Sequence, residues 1–381
     1  MHDFLIKKIT ETDFDKELKY IGFDETYINK AKYKFKYINF KIFDLNCAQA
    51  NILKQTALSV GADCATNKEV ITGRVDKSDV ILGGSVAQLT KIAEKLQFQP
   101  FSLKILGQRI SELLNVDKKK RTQIIGVLNV TENSFSDGGQ FRDFNSAVKQ
   151  LEKLIDDGAD IIDIGAESTK PGAKEVNSSE QLKYLLPILD FVNDNNIKTP
   201  ISIDTRNSVV AEECINSGAK IINDVSGFDY DSNMVNVISN NPGTKIIIQH
   251  SQGLPENMQE NPYYSHLMDD IYKSLDSKIK TALDNGIKKE NIIIDPGIGF
   301  GKTREDNFEI IRKWQEFRTL NCPVLLGISR KSLLNMNNAD NSEKDLYTLA
   351  LNSILISQNI DYIRVHNVKI HKKFLDIYSV L

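Results

Sequence analysis

Between residues 122 and 381 a short, β-branched apolar run recurs eight times, each followed by a polar or glycine-bearing stretch and then by an amphipathic segment. The runs fall at 123–130, 160–165, 200–204, 220–225, 245–250, 291–295, 323–329 and 362–366. Near-continuous Ile and Val at this length suits strands buried on both faces, as in a parallel sheet whose crossovers are helices. Intervening segments such as SAVKQLEKLIDDG, EQLKYLLPILDFVN, SVVAEECINSG and LDSKIKTALDNG carry apolar residues at three- and four-residue spacing. Gly158, Gly218 and Gly286 stand where a left-handed C-cap is wanted. GADIIDI at 158 is echoed by GAKIIND at 218, as two βα units would be. The region's length is close to the roughly 250 residues of a closed eight-fold βα barrel. An open doubly wound sheet fits the same spacing.

A change in composition marks where this region begins. Val116 and Asp117 lead into Lys118, Lys119, Lys120 and Arg121, between a helical pattern ending near Leu114 and the apolar run from Ile124. Such a stretch reads as a solvated connector, so the expected domains are residues 1–118 and 122–381. The expected fold is α/β: a (β/α)8 TIM barrel with a smaller N-terminal α/β domain. In the N-terminal third, Tyr33, Phe35 and Tyr37 alternate with Lys32, Lys34 and Lys36, a period-two pattern that predicts a lysine-guarded edge strand. A helix over 48–60 closing near Gly61, a strand over 79–82 and a helix over 85–96 after Gly83 and Gly84 complete a small domain of unassigned role.

Charge and cysteine content narrow the function. Lys and Arg number 48 against 51 Asp and Glu, a formal net charge of -3, too balanced to hold nucleic acid or a membrane surface by bulk field. Cys47, Cys64, Cys214 and Cys322 form no CxxC motif and no disulfide framework, which points to a reducing compartment. The opening MHDFLIKKITETDFDKE lacks the apolar core of a signal peptide, and no later run is long enough to span a membrane. A cytoplasmic chain is expected.

Chemistry in βα barrels gathers at the C-terminal strand ends. Here those ends carry Asn129, Asp163 with Glu167, Asp204, Asn223 with Asp224, Gln249 with His250, Asp295, Ser329 to Lys331, and Arg364 with His366. Singly, each reads as a helix cap, a buried hydrogen-bond partner or a solvated loop residue. Eight strands ending this way would converge on one mouth if the barrel closes. Asp204, Asn223 and Asp295 suit the amino-pyrimidinone edge of a heterocycle, and Lys331 can donate to its ring oxygen or nitrogen. Arg364 and His366 offer charge-assisted donors for phosphate. A base-like ring carrying phosphate is the implied ligand. Three connections stand out. TENSFSDGG at 131–139 exceeds a minimal βα turn and suits a lid, and Glu167 to Gly172 sets hydroxyls and a cation beside Pro-Gly. DPGIGFGK at 295–302 suits close backbone approach to a flat ring, or a phosphate cradle without P-loop spacing.

Seven segments in order, IIGVLNVTENSFSDGG, GADIIDIGAESTKPGA, ISIDTR, IINDVSG, DPGIGFGK, GISRKS and RVHNV, resemble the dihydropteroate synthases of the pterin-binding barrel family over about residues 122–381. The resemblance implies condensation of 6-hydroxymethyl-7,8-dihydropterin diphosphate with p-aminobenzoate to 7,8-dihydropteroate and diphosphate, a step of folate biosynthesis that sulfonamides target. It implies a pterin pocket at Asp204, Asn223, Asp295 and Lys331, with Gly299 and Phe300 supporting the ring. It gives Asn129 the holding of Mg2+ on the diphosphate, the one cofactor expected, and makes Arg364 and His366, with Thr169, the anion site. Asp137 is similar to the family's acidic residue near the exocyclic methylene. Ser329, Lys170 and Pro171 resemble the p-aminobenzoate site, Ser329 near its carboxylate, with Phe135 in the lid. A homodimer is also implied.

Departures from the family pattern fall mostly in the loops. Glu132-Asn133 replaces the usual Pro-Asp, Ala166 a common Gly, Lys170 a frequent Arg, and Asn367 the usual Asp, while Gln249 and Ser251 flank His250 where Met is typical. Altered affinity or sulfonamide response is expected before loss of activity. A methyltetrahydrofolate methyltransferase would share the barrel and pterin floor without needing a diphosphate site. A silent pterin-binding scaffold would lack one of Asn129, Asp137, Arg364 or His366, and all four are present.

Overall fold

The computed structural model describes residues 14–115, 121–130, 140–167, 175–253, 262–336 and 338–380. It divides into two units, Met1–Lys118 and Lys119–Leu381. The first is built on a three-stranded antiparallel sheet, β1 (Tyr37–Asn46), β2 (Asp63–Ala65) and β3 (Lys77–Ser85), in the order β1-β3-β2. Helices Cys47–Leu58 and Val86–Leu96 follow β1 and β3, and each begins in a capping box, Asn46 with Gln49 and Ser85 with Gln88. Leu53, Leu82, Leu89, Ile92 and Leu96 close this unit's own core.

One expectation fails here. The Lys/Tyr/Phe alternation does not form a strand: Lys32–Lys34 is a 3-10 turn that continues helix Glu25–Ala31, and β1 starts only at Tyr37. Local bonds decide it. Lys32 pairs with Asp15 at 3.0 Å and Phe35 stacks on Phe14 at 5.3 Å, so the period-two pattern has no sheet to face.

In the second unit all eight apolar runs become strands: β4 (Gln123–Asn129), β5 (Ile161–Gly165), β6 (Ile201–Asp204), β7 (Ile221–Asp224), β8 (Lys245–Gln249), β9 (Ile292–Asp295), β10 (Leu325–Leu326) and β11 (Tyr362–Val365). They pair in parallel in the order β10-β11-β4-β5-β6-β7-β8-β9. The ring closes between β9 and β10, where the Ile294 N–H donates to the Pro323 carbonyl at 2.9 Å and Ile294 bridges Val324. This excludes the open doubly wound sheet. Gly158, Gly218 and Gly286 adopt φ of +94, +104 and +86 at the ends of their helices, the conformation a C-cap needs.

Alternation along each strand sorts the apolar residues into two cores. Ile124, Leu128, Ile162, Ile203, Ile222, Ile246, Ile294 and Val365 belong to the large cluster shared with the surrounding helices. Ile125, Ile161, Ile221, Ile247, Ile293, Leu325 and Tyr362 form a separate cluster, the plug of the barrel. Inward positions two residues further along these strands are therefore displaced one level toward the C-terminal mouth. No helix among the described residues is long and apolar enough to cross a membrane.

Candidate active site

The level above the plug is polar because five inward faces that begin with an apolar residue carry a hydrogen-bonding one two residues later. On β5, β7, β8, β9 and β11 the sequence turns Ile161, Ile221, Ile247, Ile293 and Tyr362 into Asp163, Asn223, Gln249, Asp295 and Arg364 two residues later. Asp204 ends β6 and pairs in register with Asn223. Asp163, Asp204, Asn223, Gln249 and Asp295 are all buried.

Arg364 links this floor. Its Nε donates to Asp163 Oδ2 at 2.6 Å and its Nη2 to Asp204 Oδ2 at 2.7 Å, while Asn223 Nδ2 donates to Asp163 Oδ2 at 3.1 Å. Two carboxylates thus share one guanidinium. The second oxygens, Asp163 Oδ1 and Asp204 Oδ1, are buried and find no hydrogen-bond partner among the described residues, an unusual state for an interior acceptor. Burial lifts the Asp204 carboxyl to about 7; Arg364 opposes the rise, and the neighbouring Asp163 adds to it.

Lys331 and Asp295 form the next part of the wall. Burial draws Lys331 down to about 8, with Asp295 pulling the other way, and burial raises Asp295 despite Lys331. Lys331 Nζ donates to the Ile298 carbonyl and lies 4.6 Å from the centre of the Phe300 ring, a cation–π distance. The connection after β9 must approach closely to permit this. Gly297 has φ +75, its N–H donates to Asp295 Oδ1 at 2.7 Å, and a Cβ there would fall 1.9 Å from the His250 carbonyl. Gly299 leaves room for the Lys331 stem, 3.1 Å from where its own Cβ would stand.

Ser329 and His366 meet directly. The His366 ring Nδ1 and the Ser329 hydroxyl are 2.9 Å apart, and the His366 N–H donates to the same hydroxyl at 3.2 Å. Asn129 stands at the exposed end of β4, beside Gly165 in register. Phe135, Asp137, Thr169, Lys170 and Pro171 lie outside the described residues.

The Arg364 guanidinium is fastened to the acidic floor by Asp163 and Asp204. One expectation changes. Asp224 does not face the mouth: it sits on the outward alternation and ties down its own loop, accepting from the Ser226 and Phe228 N–H groups at 2.9 and 2.7 Å.

Sequence reasoning gave no role to one buried carboxylate, Asp163, or to two buried pairs. Asp163 was visible as a strand-end carboxylate, and its period-two spacing from Ile161 was the available signal. Arg206 bonds Glu167 at 3.2 Å and lies 4.1 Å from the Tyr230 ring; the residues are 39 apart, so no local pattern announces them. Lys302 Nζ lies 3.0 Å from His250 Nδ1 and donates to the Phe300 carbonyl at 2.9 Å. Burial lowers Lys302 to about 7, and burial with the Lys302 charge holds His250 down at about 2, a neutral ring.

Known proteins resemble this chain in sequence and fold. The family model described as "Pterin binding enzyme" matches residues 125–366. Dihydropteroate synthase of Clostridium beijerinckii is 41% identical over 251 residues, covering 65% of this chain and 90% of that protein. A probable bifunctional folylpolyglutamate synthase/dihydropteroate synthase of Haloferax volcanii is 33% identical over 344 residues, 84% of this chain; the chain spans only 40% of that protein's length. The crystal structure of dihydropteroate synthase from Anaplasma phagocytophilum with bound 6-hydroxymethylpterin-monophosphate superposes with a TM-score of 0.63 at 38% identity, covering 68% of this chain and 99% of that one. A closed parallel barrel, a buried Asp–Asn–Asp floor with the half-buried Lys331 beside it and matches of this extent place the chain in the dihydropteroate synthase family of pterin-binding enzymes.

Proposed function

We propose that residues 122–381 condense 6-hydroxymethyl-7,8-dihydropterin diphosphate with p-aminobenzoate, giving 7,8-dihydropteroate and diphosphate in folate biosynthesis, and that residues 1–118 form a separate domain. The observation that carries this reading is the floor: two buried carboxylates, each with one oxygen unpartnered among the described residues, beside Asn223 and Asp295. Such a set asks for a ligand that donates several N–H groups from one flat edge, as an amino-pyrimidinone does.

In this reading Asp204, Asn223, Asp295 and Lys331 hold the pterin edge, and Gly299 and Phe300 bound its ring. Arg364 and His366, with Thr169, take the diphosphate; Arg364 then exchanges part of its carboxylate pairing for phosphate oxygens. The amine nitrogen forms its bond to the exocyclic methylene as the C–O bond breaks, diphosphate leaves with the bonding pair, and the ammonium so formed loses a proton. An aryl amine needs no activation, so stabilising the departing anion is the larger demand on the protein. Asp137 faces the positive charge that develops at the methylene. Ser329, Lys170, Pro171 and Phe135 hold p-aminobenzoate and exclude water.

Mg2+ suits this donor set. Asn129 offers a hard amide oxygen at an exposed strand end. Among the described residues no group of three His, Cys, Asp or Glu makes a protein cage, and Mg2+ commonly completes its shell with substrate phosphates and water. When bound, the ion would neutralise charge on the diphosphate. The homodimer implied by the resemblance is checked by sedimentation equilibrium.

Purified chain supplied with Mg2+, the pterin diphosphate and p-aminobenzoate should release diphosphate and form dihydropteroate. Absence of both products would overturn the reading. Asp137→Ala should reduce turnover by about 10²-fold, as for loss of one transition-state electrostatic contact, while pterin affinity is kept.

A further inference from the structure

We propose that Asp345 is a positioning residue for this reaction: it clamps the turn presenting Ser329 and Lys331 and joins it to the segment carrying His366. The proposal rests on the functional reading above. Arg330 stands between Ser329 and Lys331 with φ +58, a left-handed backbone that L-residues with a Cβ adopt only at some energetic cost. Something outside the turn must hold it there. The Arg330 guanidinium is forked on Asp345, Nε to Oδ1 at 2.9 Å and Nη2 to Oδ2 at 2.8 Å, the bidentate geometry that fixes direction as well as distance.

Asp345 is buried on helix Asn341–Ser357. Burial would raise its carboxyl, but the hydrogen bonds and charge of Arg330 outweigh burial and hold it below the usual range. Its Oδ2 also accepts from Asn367 Nδ2 at 3.4 Å. Asn367 directly follows His366 and caps helix Val368–Tyr378, accepting from the Ile370 N–H at 3.4 Å. Further along the same pair of helices, Asn352 Nδ2 and His371 Nε2 lie 3.0 Å apart, and His371 Nδ1 lies 2.8 Å from the Asn367 carbonyl. The circuit closes where His366 returns to the Ser329 hydroxyl through its ring and its N–H. The ends of β10 and β11, which carry Ser329, Lys331, Arg364 and His366, are thereby held in one register by a carboxylate that need touch no substrate.

The test compares kcat, KM for p-aminobenzoate and calorimetric affinity for 6-hydroxymethylpterin in the full chain. Asp345→Asn keeps the side chain's shape and loses the charge, so it serves if Asp345→Ala fails to fold. Both should lower kcat by about 10- to 100-fold, the scale of a small misplacement of reacting groups, with pterin affinity changed less than kcat. The deciding variants are Asp345→Ala combined with Arg330→Gly or with Arg330→Ala. Both doubles remove the unpaired guanidinium, but only glycine takes φ +58 freely. The Gly double should regain at least about fivefold more kcat than the Ala double. Equal kcat in the two doubles, or wild-type kcat in Asp345→Ala with only a lowered melting temperature, would overturn the proposal. Wild-type protein that turns over no substrate refutes the functional reading instead, before any variant is compared.

Discussion

The inward face of the barrel has two levels, and they differ in how completely they are satisfied. The lower level, Ile125, Ile161, Ile221, Ile247, Ile293, Leu325 and Tyr362, is filled by packing. The upper level, nearer the mouth on β5, β6, β7, β8, β9 and β11, carries buried charge. There, among the described residues, Asp163 and Asp204 each keep an oxygen without a partner, burial lifts Asp204 to about 7, and burial draws Lys331 down to about 8. An apolar side chain is satisfied by contact alone, whereas a buried carboxylate needs a donor in a given direction. The mouth is left incomplete in the places where a ligand with N–H donors would complete it. Stability is concentrated one level below.

That division can be broken at either level. The largest effect belongs to the plug: Ile293→Ala should cost about 2–5 kcal/mol in denaturant unfolding, with 6-hydroxymethylpterin affinity unchanged in the folded protein. A loss of affinity equal to the loss of stability would show the two levels to be one unit. Next, Asp204→Asn should weaken pterin binding by about 2 kcal/mol, roughly 30-fold, as for a hydrogen bond to a charged group. At pH 4–5, where folded Asp204 is neutral like Asn, its stability should change little, since Arg364 retains Asp163.

The same variant carries a pH signature. An unfolded Asp ionises near 3.9, while folded Asp204 keeps its proton up to about 7. Between those values the folded state binds more protons, so the Asp204 contribution to stability declines as pH rises from about 4 to 7 and is constant above. Denaturant midpoints should therefore move in favour of Asp204→Asn by about 4 kcal/mol between pH 4 and pH 8. A flat difference would mean that the carboxylate is comfortably ionised and the mouth is not strained. The smallest effect concerns the rim: Phe300→Leu removes the ring 4.6 Å from Lys331 Nζ and should cost about 1 kcal/mol of pterin affinity, roughly fivefold.

Much of the barrel was legible because its signals are local. Period-two runs, helical spacing and glycine caps are properties of a few consecutive residues, and all eight runs became strands. The alternation at Lys32 to Tyr37 misled for a related reason: periodicity reports a face only when there is something for that face to pack against, and there Asp15 and Phe14 held the chain in a turn. Asn223, Asp204 and Asp295 were readable as polar strand ends, and Asp163 with them. The pairing of Arg364 with Asp163 and Asp204 was not readable, since 201 and 160 residues separate the partners. Nor was the Arg330–Asp345 fork, which depends on a positive φ that GISRKS does not announce.

By itself the amino-acid order determined the βα repeat, the polar residue at each strand end and the family motifs, because each is encoded within a stretch no longer than one strand and its following turn. Tertiary structure alone decided that the ring closes between β9 and β10, that Arg364 lies in the acidic floor, and which buried acceptors remain open. Those outcomes depend on distances between residues remote in the chain and on the exclusion of water around them, and neither exists until the barrel has formed.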